Sequence, residues 1–468
     1  MATSNTQAQL LSGSKIYEVL QYYYAPGGSE VVTTNLNTFY GFIGNVTPWP
    51  NPTQPPAFEE TEKNIKEVFK NIISAKLITS ADISPVIERI DWTTGTTYDY
   101  YTDDENMFAV DADGLLIKQF YVRNRFDQIF KCLWNNDGEP STVEPQFLPG
   151  TFDNSFLVKT SDGYKWKYMY SLDSGLKQKF FDTSWMPVPI GTNIPNPVST
   201  FAGAGSIEVI NVTSVGQGYS SGGVTITISG DGQYANATAL VNGAGYLYDV
   251  SVSNTGQNYT YSTVTIAPST GYSTPNVPAV VIAPTSPVGG HGFDPLSELG
   301  CSRVMVALEF MENEGGLVPT DVTYYQIGLL LDPVSQESVA QNPPTLANNS
   351  LYDATTQLFV SAGTGVYTPG QTIYQGSSQA TATFIGKIAS FDALANVVRV
   401  INITGTPTVN DALIQDASGP VSGAIRTLLS VVEPDFITFS GYMAYIENRE
   451  GVTRSPDSTE QFRIVLRF

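Results

Sequence analysis

The stretch Tyr442–Phe468, YMAYIENREGVTRSPDSTEQFRIVLRF, determines how the rest of the chain is interpreted. Phe462, Ile464, Leu466 and Phe468 recur at every second position, which is the period of a strand with one buried face. Terminal segments fray unless they dock onto the remainder of a domain. The alternation therefore predicts that this last strand enters a sheet whose partner strands come from much earlier in the chain.

The composition is typical of a β-rich protein with many turns. The chain contains 26 Tyr, 23 Phe, 41 Gly and 29 Pro, and only 14% of its residues are charged. A chain of 468 residues is too long for one ordinary core, so we expect two to four domains.

The charge pattern argues against several classes of partner. Net charge is −21, from 23 basic and 44 acidic residues, and no dense Lys/Arg run is present, so no nucleic-acid partner is expected. No apolar run approaches the roughly 18 residues of a membrane helix, and the first residues lack a signal-peptide pattern. The sequence predicts a protein made and kept in cytosol-like conditions, without a membrane partner. Cys132 and Cys301 are expected to be two reduced thiols.

One helix is predicted, over about residues 59–77. Ile65, Val68, Phe69, Ile72 and Ile73 recur at the spacing of one helical face. Acidic residues precede this stripe and lysines follow it, as the helix dipole favours.

Strands dominate the region between this helix and residue 185. The pair Asp162-Gly163 is a turn signal, and aromatic residues alternate with Lys165 and Lys167 directly after it. The aromatic face is formed by Tyr164, Trp166, Tyr168 and Tyr170. We therefore expect a half-buried strand whose basic side is solvated.

Two Gly- and Thr-rich segments are predicted to be small all-β inserted modules, at residues 201–285 and 351–430. The first has no Lys or Arg and carries a repeat at a 40-residue offset: Ile210 to Tyr219 returns as Val250 to Tyr259. Two copies are too few for a solenoid, so a module of two related strand–turn–strand units is expected.

The predicted fold class is mainly β with a minor α/β part. A β-sandwich-like frame would be built from the N- and C-terminal segments, with the two modules inserted into it. The frame segments are residues 1–200, 286–350 and 431–468.

Most candidate chemical motifs are better explained as turns. The Gly-rich runs at 203–205, 216–222 and 363–370 are followed by strand-like residues, whereas a phosphate loop needs a helix directly after its glycines. Asp111 and Asp113, like Asp103-Asp104-Glu105, lack the further oxygen ligands of a calcium loop. We therefore predict no cofactor-binding and no metal-binding residues.

No catalytic residue is predicted either. His291, the single histidine, lies in a glycine-flanked loop without a nucleophile elbow, so its expected role is a polar contact between insertion and frame. A Cys/His metal site is accordingly not expected. Paired carboxylates for glycoside hydrolysis remain open, because the fold and not the spacing brings them together. Most of the five tryptophans are expected in the core, and one or two are expected to be available to anchor a protein interface.

Several short motifs together resemble one family, the baseplate wedge subunit of T-even-type contractile-tailed bacteriophages, which is the eighth gene product of that system. In the family's order they are Phe39-Tyr-Gly-Phe-Ile-Gly44 with Thr47-Pro-Trp49-Pro50, Arg89-Ile-Asp-Trp92, Tyr121-Val-Arg-Asn124, Phe130-Lys-Cys-Leu133, Asp162-Gly-Tyr-Lys-Trp-Lys-Tyr168, Tyr445-Ile-Glu-Asn-Arg449 and Glu460-Gln-Phe-Arg-Ile-Val-Leu-Arg-Phe468. They cover a little over half of the chain. Asn45 stands where the family pattern would place an arginine.

The resemblance implies a structural virion protein. It would be a homodimer held by neighbouring wedge proteins in the tail baseplate, assembled in the host bacterial cytoplasm, without enzymatic activity or a small-molecule substrate. The alternative is a host-surface carbohydrate-binding or depolymerising tail protein, in which the two inserted modules are the active parts.

Overall fold

The computed structural model describes residues 37–148, 155–190, 197–312, 314–416 and 423–467. The chain is mainly β, with 42% of its residues in strands and 9% in helices, which confirms the predicted class. It divides into two compact units. We call Ser84–Arg303 the central unit, and Ser4–Ile83 together with Val304–Phe468 the terminal unit.

The secondary structure of the described residues consists mostly of short strands. In chain order they are β1 (Phe39–Gly44), β2 (Ile72–Leu77), β3 (Ile83–Glu88), β4 (Tyr121–Arg123), β5 (Gln128–Trp134), β6 (Leu157–Lys159), β7 (Lys165–Ser171), β8 (Trp185–Pro187), β9 (Asn211–Ser214), β10 (Val224–Gly230), β11 (Asn236–Val241), β12 (Leu247–Asn254), β13 (Ser262–Pro268), β14 (Val280–Ile282), β15 (Arg303–Phe310), β16 (Val322–Leu331), β17 (Leu351–Asp353), β18 (Thr356–Val360), β19 (Thr372–Gln375), β20 (Phe384–Asp392), β21 (Val397–Gly405), β22 (Ala412–Gln415), β23 (Ile425–Val432), β24 (Tyr442–Arg454) and β25 (Glu460–Arg467). The helices are α1 (Glu62–Asn71), α2 (Ser174–Phe180), α3 (Pro197–Phe201) and α4 (Pro295–Glu298).

The main sheet of the terminal unit joins early and late parts of the chain. Its spatial order is β17-β2-β1-β16-β24, and every neighbouring pair is antiparallel. β1 is buried along its whole length, because it lies in the middle of this sheet. Early and closing strands therefore share one hydrogen-bonded layer.

The closing strand β25 is also docked, as the alternation predicts. It pairs with β15, and Phe462, Ile464 and Leu466 are buried. Phe468 lies outside the described residues.

Helix α1 is shorter than predicted. It begins after Thr61, whose hydroxyl accepts a hydrogen bond from the Asn64 amide, and it ends at Asn71. The prediction of helix to residue 77 is wrong, because residues 72–77 form β2. Ile72 and Ile73 fit a helical stripe and a strand equally well, and pairing with β1 and β17 decides between them.

Residues 356–432 of the terminal unit form a closed six-stranded barrel, in the order β18-β21-β20-β19-β22-β23. Closure leaves no edge strand, and the interior is filled with apolar side chains. The chain enters and leaves at one place: the Asp353 amide donates to Asp435 Oδ2 at 2.7 Å, and the Asp435 amide donates to Asp353 O at 2.9 Å.

The central unit contains a four-stranded antiparallel sheet with the order β4-β5-β7-β6. Its core is aromatic, and Trp166 stacks on Tyr164 with 5.3 Å between ring centroids. A shorter pair, β3 with β8, belongs to the same unit.

The predicted repeat within 201–285 corresponds to a structural pseudo-two-fold, and we call this segment the duplicated module. β10 pairs with β13 so that Ile226 faces Ile266, its equivalent 40 residues later, and Ile210 likewise faces Val250. Antiparallel pairing of equivalent residues places a two-fold axis between the copies. The module is entered and left at one place, where the Ser286 amide donates to Ser206 O at 2.9 Å and the Ser206 amide donates to Ser286 Oγ at 2.9 Å.

Candidate functional site: a row of buried, paired lysines

Three lysines lie on one face of the central sheet and are buried. Lys131 of β5 stands directly opposite Lys167 of β7, and Lys165 follows on the same side. The prediction of a solvated basic face is wrong, because Lys131, Lys165 and Lys167 are only 0%, 5% and 2% exposed. Like charges at opposed positions of a sheet repel one another, so this row needs anions nearby.

Each lysine pairs with a carboxylate from the part of the chain after residue 200. Lys131 Nζ lies 3.1 Å from Glu298 Oε2, and Lys165 Nζ lies 2.9 Å from Asp249 Oδ1. Lys167 Nζ donates to both oxygens of Glu208, at 2.7 and 2.9 Å. The anions come from three separated positions of the sequence.

The remaining donors of the row are satisfied by main-chain oxygens. Lys165 Nζ donates to Ile210 O at 3.0 Å, and Lys167 Nζ donates to Ser155 O at 2.8 Å. Asn211, also buried, donates its side-chain amide to Leu133 O at 2.9 Å. The lysine row therefore attaches the first strand of the duplicated module to the sheet.

His291 makes a polar contact, as predicted, and it does so in the core. Its Nδ1 lies 3.2 Å from Lys131 Nζ, and its ring meets Tyr101 edge-on with 4.8 Å between centroids. Lys131 in turn lies 4.1 Å from the centre of the Tyr101 ring. An ammonium donates, so we assign the accepting lone pair to Nδ1 and the ring hydrogen to Nε2.

Burial and pairing shift the pKa values of these groups. Burial opposes ionisation of Glu298, but the ammonium of Lys131 outweighs it and lowers the Glu298 pKa to about 2. Burial, with a smaller contribution from Lys131, lowers the pKa of His291, so the imidazole is neutral. The pKa of Asp249 is also lowered: burial opposes this, and Lys165 and Lys159 outweigh it.

This arrangement joins separate segments of the fold and is closed to solvent. Burial lowers the pKa of Lys131, which is a property of nucleophilic lysines, but Glu298 offsets part of that effect. The Lys131 and Glu298 side chains are 1% and 2% exposed, so a substrate has no access to the amine without rearrangement. Buried, fully paired charges of this kind join segments of a fold.

The other motifs singled out in the sequence are turns. Asp111 Oδ1 accepts hydrogen bonds from the amides of Asp113 and Leu115, both at 2.9 Å, which is a local Asx turn. The three Gly-rich runs lead into β9, β10 and β19, and no helix follows them in the described parts of these segments. Within the described residues, no three His, Cys, Asp or Glu side chains are placed to share a metal ion.

Cysteines and tryptophans are distributed as follows. Cys132 and Cys301 are both free thiols, and burial raises the pKa of Cys301 to about 12. Trp134 and Trp166 are buried, whereas Trp49, Trp92 and Trp185 are partly exposed. In the part of the chain that is described, no helix is both long and apolar enough to cross a membrane.

Sequence reasoning missed the lysine row because its partners are distant. One signal was available: residues 180–302 contain Glu208, Asp249 and Glu298 but no Lys or Arg. One segment has acidic residues and no Lys or Arg, and an aromatic strand elsewhere carries lysines. Together these two features indicate that the charges of the two segments pair.

The chain was compared with protein-family models and with curated protein sequences, and neither comparison finds a match.

Proposed function

We propose that this chain is a structural subunit of a contractile phage tail baseplate wedge, which acts by dimerising and by docking to neighbouring wedge proteins. The observation that carries the proposal is the ordered set of motifs quoted above. Motifs from both ends of the chain, in β1 and β24, belong to one sheet of the terminal unit, with β16 between them. The motifs in β1 and β24, which are far apart in the sequence, thus lie in the same sheet.

The chemistry of the central unit is consistent with this role. Its most strongly charged buried groups, Lys131, Lys165 and Lys167, are paired with carboxylates of the same chain. These ion pairs hold β5 and β7 to segments that come after residue 200. Subunits of obligate assemblies bury interfaces of about 2,000 Å² or more, and buried charges paired within the chain leave the outer surface for such contacts.

Light scattering on the full-length protein tests the proposal. We expect a particle of twice the chain mass, and a larger complex when other wedge proteins are added. A monodisperse monomer that joins no wedge protein would contradict it.

A second candidate, a host-surface carbohydrate-binding or depolymerising tail protein, is favoured by one feature of the duplicated module. Tyr234, Tyr248 and Tyr261 are 68%, 55% and 60% exposed, in a segment whose sequence contains no Lys or Arg. Exposed tyrosines among hydroxyl and amide groups suit sugar rings. A glycan array and a depolymerase assay on the full-length chain and on Tyr248→Ala and Tyr261→Ala variants distinguish this candidate from the first.

A further inference from the structure

A groove of about 590 Å³ lies on the terminal unit, where helix α1 faces the residues after β1. Its lining combines amide side chains, two carboxylates and a segment in which an aromatic residue stands between prolines. None of the described residues that line it is Lys, Arg or His. A volume of this size accommodates a ligand of several residues or rings.

Two buried side chains at the groove have unused hydrogen-bonding groups. Gln326 donates from Nε2 to Asn448 Oδ1 at 2.7 Å, and its Oε1 accepts from no described group. Asn45 accepts at Oδ1 from the Thr47 amide at 2.9 Å, and its Nδ2 has no described acceptor. The two residues are only 5% and 9% exposed, and both line the groove.

The main chains of these two residues are adjacent, because the Tyr325 amide donates to Asn45 O at 2.8 Å. One free acceptor and one free donor in the same groove match the N–H and C=O of a peptide main chain. Neither atom is among the fully buried ones that lack a partner, so both are accessible to a ligand in the groove that their residues line.

The wall of the groove is rich in acceptors. Asn64 and Asn71 of α1 use their side-chain amides to donate to Glu59 O and Glu67 O, at 3.0 and 2.8 Å. Asn402 donates to Glu67 Oε1 at 2.6 Å. Each of these amides keeps a second hydrogen, so the charge of the wall comes from the carboxylates of Glu59 and Glu67. This balance favours a cationic ligand rich in donors and disfavours phosphates and carboxylates.

An aromatic side chain completes the groove. The indole Nε1 of Trp49 donates to Arg449 O at 3.0 Å, which fixes the orientation of the ring. Trp49 stands between Pro48 and Pro50, and all three line the groove. Such a surface packs against the aliphatic stems of lysine or arginine and attracts their charged ends.

We propose that this groove binds an extended peptide segment carrying Lys or Arg side chains, presented by a neighbouring protein. The two carboxylates, with no cation among the described lining residues, favour this ligand over a neutral sugar, which gains nothing from their charge. The inference rests on the proposed function in one respect, which is that a neighbouring wedge protein presents the peptide.

The test is a titration of the full-length protein with a fluorescein-labelled peptide of alternating Thr and Lys, followed by anisotropy at low ionic strength. The matched probes are the same peptide with Glu in place of Lys, and maltose as a competitor. We expect saturable binding of the basic peptide, no binding of the acidic one and no displacement by maltose.

Three variants locate the site. Glu59→Gln combined with Glu67→Gln removes the charge, and Gln326→Met removes the free acceptor at similar volume; each should weaken binding by about tenfold or more. Glu433→Gln combined with Glu139→Gln is the control, because it makes the same charge change at two exposed positions outside the groove and should alter affinity less than twofold.

Equal affinity in all variants, binding of the acidic peptide, or displacement by maltose would each overturn the inference. Maltose displacement would identify a saccharide site instead. Light scattering on the same variants reports dimerisation separately. A dimer that binds no basic peptide contradicts this inference alone, whereas a monomer that binds it contradicts the proposed function alone.

Discussion

The barrel at residues 356–432 and the duplicated module at 201–285 are both built from short strands rich in Gly, Thr and Val. The barrel closes on itself and buries a cluster of 11 apolar side chains, whereas the main cluster of the duplicated module has seven. The module consists instead of three two-stranded ribbons. Two-stranded ribbons are marginal alone, so the module depends on the sheet to which its charges are paired.

Both modules are entered and left through a reciprocal pair of hydrogen bonds, at Asp353 with Asp435 and at Ser206 with Ser286. The barrel adds a tie from Arg399 Nε to Asp353 Oδ2 at 3.0 Å. The duplicated module adds Lys165–Asp249 and Lys167–Glu208. A similar mode of insertion therefore supports one region with a closed barrel core and another that combines a smaller buried cluster with buried ion pairs.

The largest expected effect comes from separating the two regions from the chain. Residues 351–435 expressed alone should unfold cooperatively in a circular dichroism melt, because closure satisfies every strand. Residues 201–287 expressed alone should show no cooperative transition. Two similar melting curves would contradict the comparison.

Replacing Lys167 with Met should destabilise the central unit by about 3–5 kcal/mol, because the buried carboxylate of Glu208 loses its partner. Hydrogen exchange should accelerate in the duplicated module and stay unchanged in the barrel. The control is Lys159→Met, since that lysine is 42% exposed and its pair with Asp249 contributes about 1 kcal/mol or less. Equal effects of the two substitutions would show that burial of the row is unimportant.

Acid should weaken the central unit through Glu298 and His291. Glu298 has a pKa of about 2 when folded and an ordinary value of 4.5, so between these values the unfolded chain binds more protons and stability is lost as the pH is lowered. The lowered pKa of His291 acts in the same direction below its ordinary value of 6.5. The Glu298 contribution is on the order of 3 kcal/mol above pH 4.5.

Denaturant unfolding of the wild type and Glu298→Gln, at a series of pH values, measures this effect. The difference in unfolding free energy between the two proteins should shrink as pH falls from 4.5 toward 2. A difference that is independent of pH would exclude the pairing.

The smallest effects test the pseudo-two-fold. Gly216 and Gly256 have φ of 59° and 64°, and a Cβ would lie 2.5 Å from the Ala279 amide in one copy and 2.7 Å from the Ala235 amide in the other. Replacing either glycine with Ala should cost about 1–3 kcal/mol, and the two costs should be similar. Gly243→Ala is the control, because open space surrounds that position. Clearly unequal costs would argue against equivalent copies.

Local patterns in the sequence predict the parts of the fold that depend on neighbouring residues. The alternation of Phe462, Ile464 and Leu466 predicts a docked strand, and the repeat predicts two related units. The end of α1 was not predictable, because Ile72 and Ile73 suit a helix and a strand alike.

The lysine row was not predictable for a different reason. Lys165 and Lys167 look solvated beside an aromatic face, and only tertiary structure brings Asp249 and Glu208 against them. Closure of the barrel likewise depends on pairing between β18 and β23, which are separated by four other strands in the chain. Pairings over such distances leave no periodic signal in the sequence.

The central claim, that this chain is a structural part of a tail baseplate, is tested most directly by a density map of the intact virion. We predict that the central and terminal units each fit density within the baseplate wedge, as a pair of copies, with a neighbouring chain lying in the groove beside Trp49. Density for the chain only at the tip of a tail fibre, or none in the virion, would contradict this account.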